Sequence, residues 1–458
     1  MSRQRIRRLG IEGLEARNLL AGLVQVEATG GNLLVRGDNV ANQVVIVQLA
    51  AGQFAVVGLG GTEVAGGTNL NGNSVRTFTG IAANIDVDLR GGDDILGIGN
   101  DAAALVDLAD YFGYEGDLGD TDQLEDDLHA LLGAAAGATL DARNLILRLG
   151  EGDDGVGIVD VNIRQRIDAN LGSGRNAFGV DSSTIGDDLI LRGGSGIDDM
   201  LLFENDIAQM LDVHLGEGNN FAIVEGCSIG ESAVLSTGRG ADFIGLTNTN
   251  VAVHLVIQSG AGNDSVFTNN QGSGGVFVGQ NEEIDTGAGS DFVGVEALVG
   301  RVLKINTGGG SDGVSVQNSA VGDDLLIDTG AEQDNSALSV GYFADFGDQR
   351  GAGGVVLGGV NVIDNLVVKL GSGNDTLAVD TVDVGHDAHL DAGSGNDGVD
   401  IDDLDVQNLL FALLGSGNDQ LAIRNSSAKK ALLDGGAGSD TLVAGGGNVF
   451  GKRRVTGF

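Results

Sequence analysis

The chain has 458 residues, of which 80 are glycine and none is proline or tryptophan, and its formal net charge is -40. With 42% hydrophobic residues it is too apolar for a disordered acidic chain, and 65 acidic against 25 basic residues exclude the Lys/Arg clusters that nucleic acid or an anionic membrane requires. Lone Cys227 excludes an intramolecular disulfide framework, no apolar run reaches the roughly 18 residues of a transmembrane helix, and cations are the natural partners.

In chain order, residues 1–23 come first, with "MSRQRIRRLGIEGLEARNLLAG" carrying Leu14, Glu15, Arg17, Leu19 and Leu20. This resembles the L-E-P-R-x-L-L sorting motif of exported and surface proteins of planctomycete bacteria, with Ala16 in place of proline. The resemblance implies secretion or surface display, and such proteins often continue into glycine-rich β-helical repeats. A basic amphipathic first helix is the alternative reading. Residues 24–100 read as strands with irregular turns ending at Asp93/Asp94, an entry cap and first coil. Residues 101–140 are Ala/Leu-rich with helical spacing, which predicts two short acidic helices that cover the side of the coils or, alternatively, dock a partner. Residues 141–446 are repeats, and 447–458 form a C-terminal cap with Lys452, Arg453 and Arg454.

The repeats are keyed to a turn of the type G-S-G-N-D. Its closing residues are Asp154, Asn176, Asp198, Asn220, Asp242, Asp264, Asp291, Asp312, Asp334, Asp375, Asp397, Asp419 and Asp440. The steps are 22 five times, then 27, 21, 22, 41, 22, 22 and 21. The long step is close to two short ones, which predicts a degenerate turn within residues 341–359. Three positions before each opening glycine stand Leu147, Ala169, Leu191, Val213 and their equivalents, all apolar; the next position is mostly polar, and Leu145, Ile167 and Leu189 return to the apolar side. After the turn the alternation resumes, as in Leu377/Val379 and Val399/Ile401. Each repeat therefore holds at least two short strands. The fold class expected is all-β: a right-handed parallel β-helix, or β-solenoid, of about fourteen coils, roughly 65 Å long at about 4.8 Å per coil.

The turns "GSGNDTL", "GSGNDQL", "GAGNDSV" and "GGAGSDTL" resemble the calcium-binding nonapeptides of the repeat-in-toxin (hemolysin-type) family. In that family the nonapeptides follow one another directly; here one turn occurs per coil. The resemblance implies Asp264, Asp375, Asp397, Asp419 and Asp440 as calcium ligands, and Asp198, Asp242, Asp291 and Asp312 share their place in the register. Stacked outward carboxylates would repel one another, and Ca²⁺ would neutralise the column. Alternatively each Asp or Asn bonds its own turn's backbone N–H groups and stays solvated.

No catalytic residue stands out. The acids are periodic, aromatic platforms for sugars are few, and the pair His386/His389 lacks a third metal ligand nearby. The expectation is a non-enzymatic, secreted or cell-surface structural or adhesive β-solenoid, with calcium and cell-envelope or extracellular-matrix components as partners. The alternative is a β-helix enzyme, a polysaccharide lyase or glycoside hydrolase.

Overall fold

The computed structural model describes residues 22–105, 121–269, 275–330 and 354–458. The described residues wind into a β-solenoid of about 13 coils, about 22 residues apart. Two compact units divide the chain, Met1–Leu201 and Leu202–Phe458.

The first unit begins antiparallel. Leu23–Thr29 pairs with Asn32–Arg36, and Gln43–Ala50, Gln53–Gly58 and Asn73–Thr79 form a meander. Stacking then becomes parallel, with Leu33, Ile85, Leu145, Ile167 and Leu189 in one column, all fully buried. A coil has three strands, the third being as short as Val161–Ile163 or Thr184–Ile185. Two or three residues are too few to show a period in the sequence.

The described part of the insertion packs on this unit. Thr121–Leu132 is an α-helix, and its Leu128 and Leu132, with Ala102 and Leu105, share a core with Val45, Val47, Ala55 and Val57 of the meander. The rest of the predicted helical pair, residues 106–120, lies outside the described residues. Because this contact is a true core, Leu128→Ala is expected to lower the unfolding free energy by about 3 kcal/mol. Denaturant titration checks this; a change within about 0.5 kcal/mol, the range of surface substitutions, would mean that the helix merely rests on the surface.

The second unit continues the same alternation through Leu211, Ala233, Leu255, Glu282, Leu303, Leu325, Leu366, Ala388 and Leu410. On an outward face, Phe221, Phe243, Phe267 and Phe292 stack ring on ring at 5.1, 5.6 and 5.5 Å. One expectation fails here. Leu325 pairs directly with Leu366 and Gly313 with Gly354, so the long step is a single coil and not two. Gly354–Val362, within the stretch assigned to a degenerate turn, is strand. The extra length falls in residues 331–353, which lie outside the described residues. At the far end, Val449–Thr456 pairs in parallel with Ser427–Asp434, which places exposed Lys452, Arg453 and Arg454 on a strand.

Candidate functional site

Each acidic turn is built by the coil next to it. In Gly371–Asp375 the first glycine has φ +91° and the third φ +146°, conformations that L side chains rarely adopt. Successive turns then clasp: Ser394 N–H donates to the Gly371 carbonyl at 2.9 Å, and Gly373 N–H to the Ser394 carbonyl at 2.7 Å. Two side-chain ladders run in opposite directions from the last two turn positions. Asn374 Oδ1 accepts the N–H of Asn396 one coil on, and Asn396 Oδ1 that of Asn418, at 2.7 and 2.8 Å. The closing aspartates reach the other way. Asp397 Oδ1 accepts Asp375 N–H at 2.9 Å, Asp419 Oδ1 accepts Asp397 N–H at 2.8 Å, and Asp440 Oδ1 accepts Asp419 N–H at 2.9 Å.

The aspartates therefore face inward, contrary to the outward, solvated column the sequence suggested. Asp242, Asp264, Asp291, Asp312, Asp375, Asp397 and Asp419 are at most 3% exposed. The exposed position is the one before, occupied by Asn374, Asn396 and Asn418. Satisfying a neighbouring coil's N–H decides this, because a side chain turned to solvent cannot reach that donor. At Asp397, Asp419 and Asp440 the partner is thus the adjacent coil, while Asp198 also accepts Gly194 N–H of its own turn.

One oxygen of Asp94, Asp397, Asp419 and Asp440 accepts from a neighbouring coil in this way. The other is enclosed and, among the described residues, has no hydrogen-bond partner. Asn220 shows what surrounds that second atom. Its amide nitrogen donates to the carbonyls of Gly216 and Gly218, the two glycines of its own turn. At the equivalent position an aspartate brings an acceptor where asparagine brings a donor. Burial accordingly pushes these carboxyls up from their ordinary value: Asp94 to about 8, Asp154 to about 7, and Asp242, Asp291 and Asp397 to about 6. Asp264 and Asp419 rise for the same reason.

The nine predicted ligands all occupy the closing position, but they are not alike. Asp198 has both oxygens engaged, by Asn176 Nδ2 at 2.8 Å and Gly194 N–H at 3.1 Å. Asp242, Asp264 and Asp291 lie in turns where Thr237, Ser259 and Thr286 supply hydroxyls that partly offset burial. The corresponding residues before Asp375, Asp397 and Asp419 are Leu370, Ala392 and Leu414, which supply no donor.

Sequence reasoning missed two groups. Glu282 stands in the inward aliphatic column between Leu255 and Leu303, fully buried, bonded through one oxygen to Thr268 Oγ1 at 2.7 Å, with its other oxygen unpartnered. Burial pushes it up to about 7. The signal was available, since a carboxyl replaces leucine there in the register. Asp323, Asp324 and Asp364 bring carboxylate oxygens within 4.8 Å of one another on the outside of the second unit. Asp364 follows the 41-residue step, so no fixed interval pointed to it. His386 and His389 are engaged separately: His386 Nδ1 lies 3.0 Å from Asn365 Oδ1, and the His389 ring packs on Phe411.

Compared with known proteins, the chain matches no family model, no curated protein and no solved structure.

Proposed function

We propose that this chain is a non-catalytic structural or adhesive β-solenoid, secreted or displayed at the cell surface, whose acidic turns hold calcium. The observation that carries the calcium reading is the enclosed second carboxylate oxygen, which has no donor at Asp397 and Asp419. An acceptor buried without a donor costs free energy until a proton or a cation reaches it. Carboxylate and carbonyl oxygens are hard donors on glycine-rich turns, the set that suits Ca²⁺. Asp375, Asp397, Asp419 and Asp440 would hold the ions, with turn carbonyls, because their turns carry no hydroxyl in the role of Thr237 or Thr286. A bound divalent cation supplies the positive charge that burial removes with the solvent. The chain's own part is to keep Oδ1 on the neighbouring N–H and aim the second oxygen inward. The N-terminal resemblance supports the extracellular address, with cell-envelope or matrix components as the partners such a surface would meet.

Thermal unfolding in calcium, in chelator, and in sodium at equal ionic strength tests the reading. Calcium is expected to raise the midpoint well beyond sodium, as ligands bound only by the folded state must. Asp397→Asn is expected to shrink that response while leaving the chelator midpoint nearly unchanged, since the amide oxygen still accepts Asp375 N–H and its nitrogen can donate as Asn220 does. A midpoint that moves no further in calcium than in sodium would leave the turns neutralised by protons alone. Surface labelling of intact cells tests the address.

A further inference from the structure

We propose that the second unit carries, on its outer face, a binding cleft for an organic cation: an ammonium or guanidinium head on an aliphatic stem. The cleft is shallow and open to solvent, with a volume of about 280 Å³, close to the lower end, about 300 Å³, of ligand pockets. Its floor is a row of residues brought together by the parallel register, Leu326 on Val367, Val367 on His389 and His389 on Phe411. In other coils this outward row mixes charged residues such as Asp212, Glu283 and Lys304 with apolar ones such as Val234 and Val256. Here it is apolar and aromatic, and the His389 and Phe411 rings lie 5.5 Å apart at 56°. All four residues are partly exposed.

The wall beside this floor accepts hydrogen bonds and carries negative charge. Asp324 Oδ1 is held by Asn365 N–H at 3.1 Å and Asn365 Nδ2 at 2.9 Å. Asp387 Oδ1 is held by Asn408 Nδ2 at 2.6 Å and Leu409 N–H at 3.1 Å. Each carboxylate is thus oriented through one oxygen by the coil that follows it. Both line the cleft, and no lysine or arginine does so among the described residues. Asp323 and Asp364 lie next to Asp324, the first 3.6 Å from the Arg301 guanidinium and the second 3.8 Å from His386 Nδ1.

These features select a ligand class. Oriented carboxylates repel anions and give a charge-assisted partner to a donor-bearing cation. A ring face within reach of the same head attracts it through the ring quadrupole, and the Leu326/Val367 floor takes an aliphatic stem. A neutral sugar would gain the ring contact and hydroxyl partners but leave the charge uncompensated, and a bare metal ion would use the carboxylates but neither ring nor floor. The cleft shares no residue with the turn column, so this inference stands apart from the calcium reading.

Calorimetric titration of the full chain at fixed saturating calcium tests it, with 1,5-diaminopentane as a free amine, a Gly-Arg-Gly-Arg-Gly peptide as a side-chain source, and methyl glucoside as the neutral probe. Either cationic probe is expected to bind saturably, the tighter one identifying the source, with weakening at higher salt. Phe411→Ala and Asp324→Asn are each expected to weaken binding about tenfold. Leu298→Ala, at an exposed residue in another row, is expected to leave it unchanged. Phe411→Tyr keeps a ring face and should rescue, which separates ring recognition from a loss of local fold; unfolding midpoints of all variants are compared alongside. The proposal is overturned if no cation binds in the millimolar range, if methyl glucoside binds and the cations do not, or if Phe411→Ala and Asp324→Asn bind as tightly as the parent.

Discussion

In chelator, the protein is expected to lose stability steadily as pH rises from about 4 to about 8. The carboxyls of Asp94, Asp154, Asp242, Asp291 and Asp397 have ordinary values near 3.8 and folded values of about 8, 7, 6, 6 and 6. Glu282 moves from 4.5 to about 7. A raised folded value means that the native state holds these protons more tightly than the unfolded chain. Their contribution is therefore complete below the unfolded values and disappears as pH passes through the folded ones. One pKa unit corresponds to about 1.4 kcal/mol, so a single carboxyl shifted like that of Asp397 is worth about 3 kcal/mol. This is the reverse of ordinary acid denaturation, in which ion-paired carboxylates lose stability as they protonate. Denaturant titrations across this range measure it, and Glu282→Gln, neutral at every pH, should flatten the profile by about 3 kcal/mol. Adding calcium should restore stability at pH 8 far more than at pH 4, where protons already neutralise the column. A metal-free profile that rises with pH would contradict the burial of these groups.

The second large effect concerns a single methyl group. A Cβ added to Gly395, at φ +142°, would lie 1.2 Å from the Gly373 carbonyl oxygen of the preceding coil. Gly398, three residues on, has nothing nearer than Thr376 Cγ2 at 3.8 Å. Gly395→Ala must therefore separate two coils as well as strain the backbone, and it is expected to cost more than about 3 kcal/mol, whereas Gly398→Ala should stay within about 1 kcal/mol of the parent. Their unfolding free energies, measured side by side, decide whether Gly395 is required by its positive φ and close approach together. Equal effects would mean that neither demands a glycine there.

Both predictions rest on contacts between coils, and the same distinction separates what was legible in the sequence from what was not. The alternation of Leu145, Leu147 and their successors, the spacing of the turns and the apolar insertion were readable because each is a local constraint repeated along the chain. A strand that buries one face must alternate, and a tight turn must place glycine at positive φ, whatever lies above or below it.

The direction of the aspartates was not readable in this way. Asp397 turns inward because Asp375 N–H, 22 residues earlier, lies within reach of its Oδ1 only after the coils stack. The 41-residue step looked like two coils by arithmetic, and the pairing of Leu325 with Leu366 made it one, because strand register is set by backbone hydrogen bonds and is blind to the length of chain between. The cleft is of the same kind: Leu326, Val367, His389 and Phe411 were four unremarkable outward positions until parallel register set them side by side. By itself the sequence determined the period, the inward apolar faces and the places where the chain turns, since those follow from each coil's own backbone and solvent. Which polar groups are buried, which are paired and which meet across coils was decided only by stacking, because a hydrogen bond between coils has no local signature.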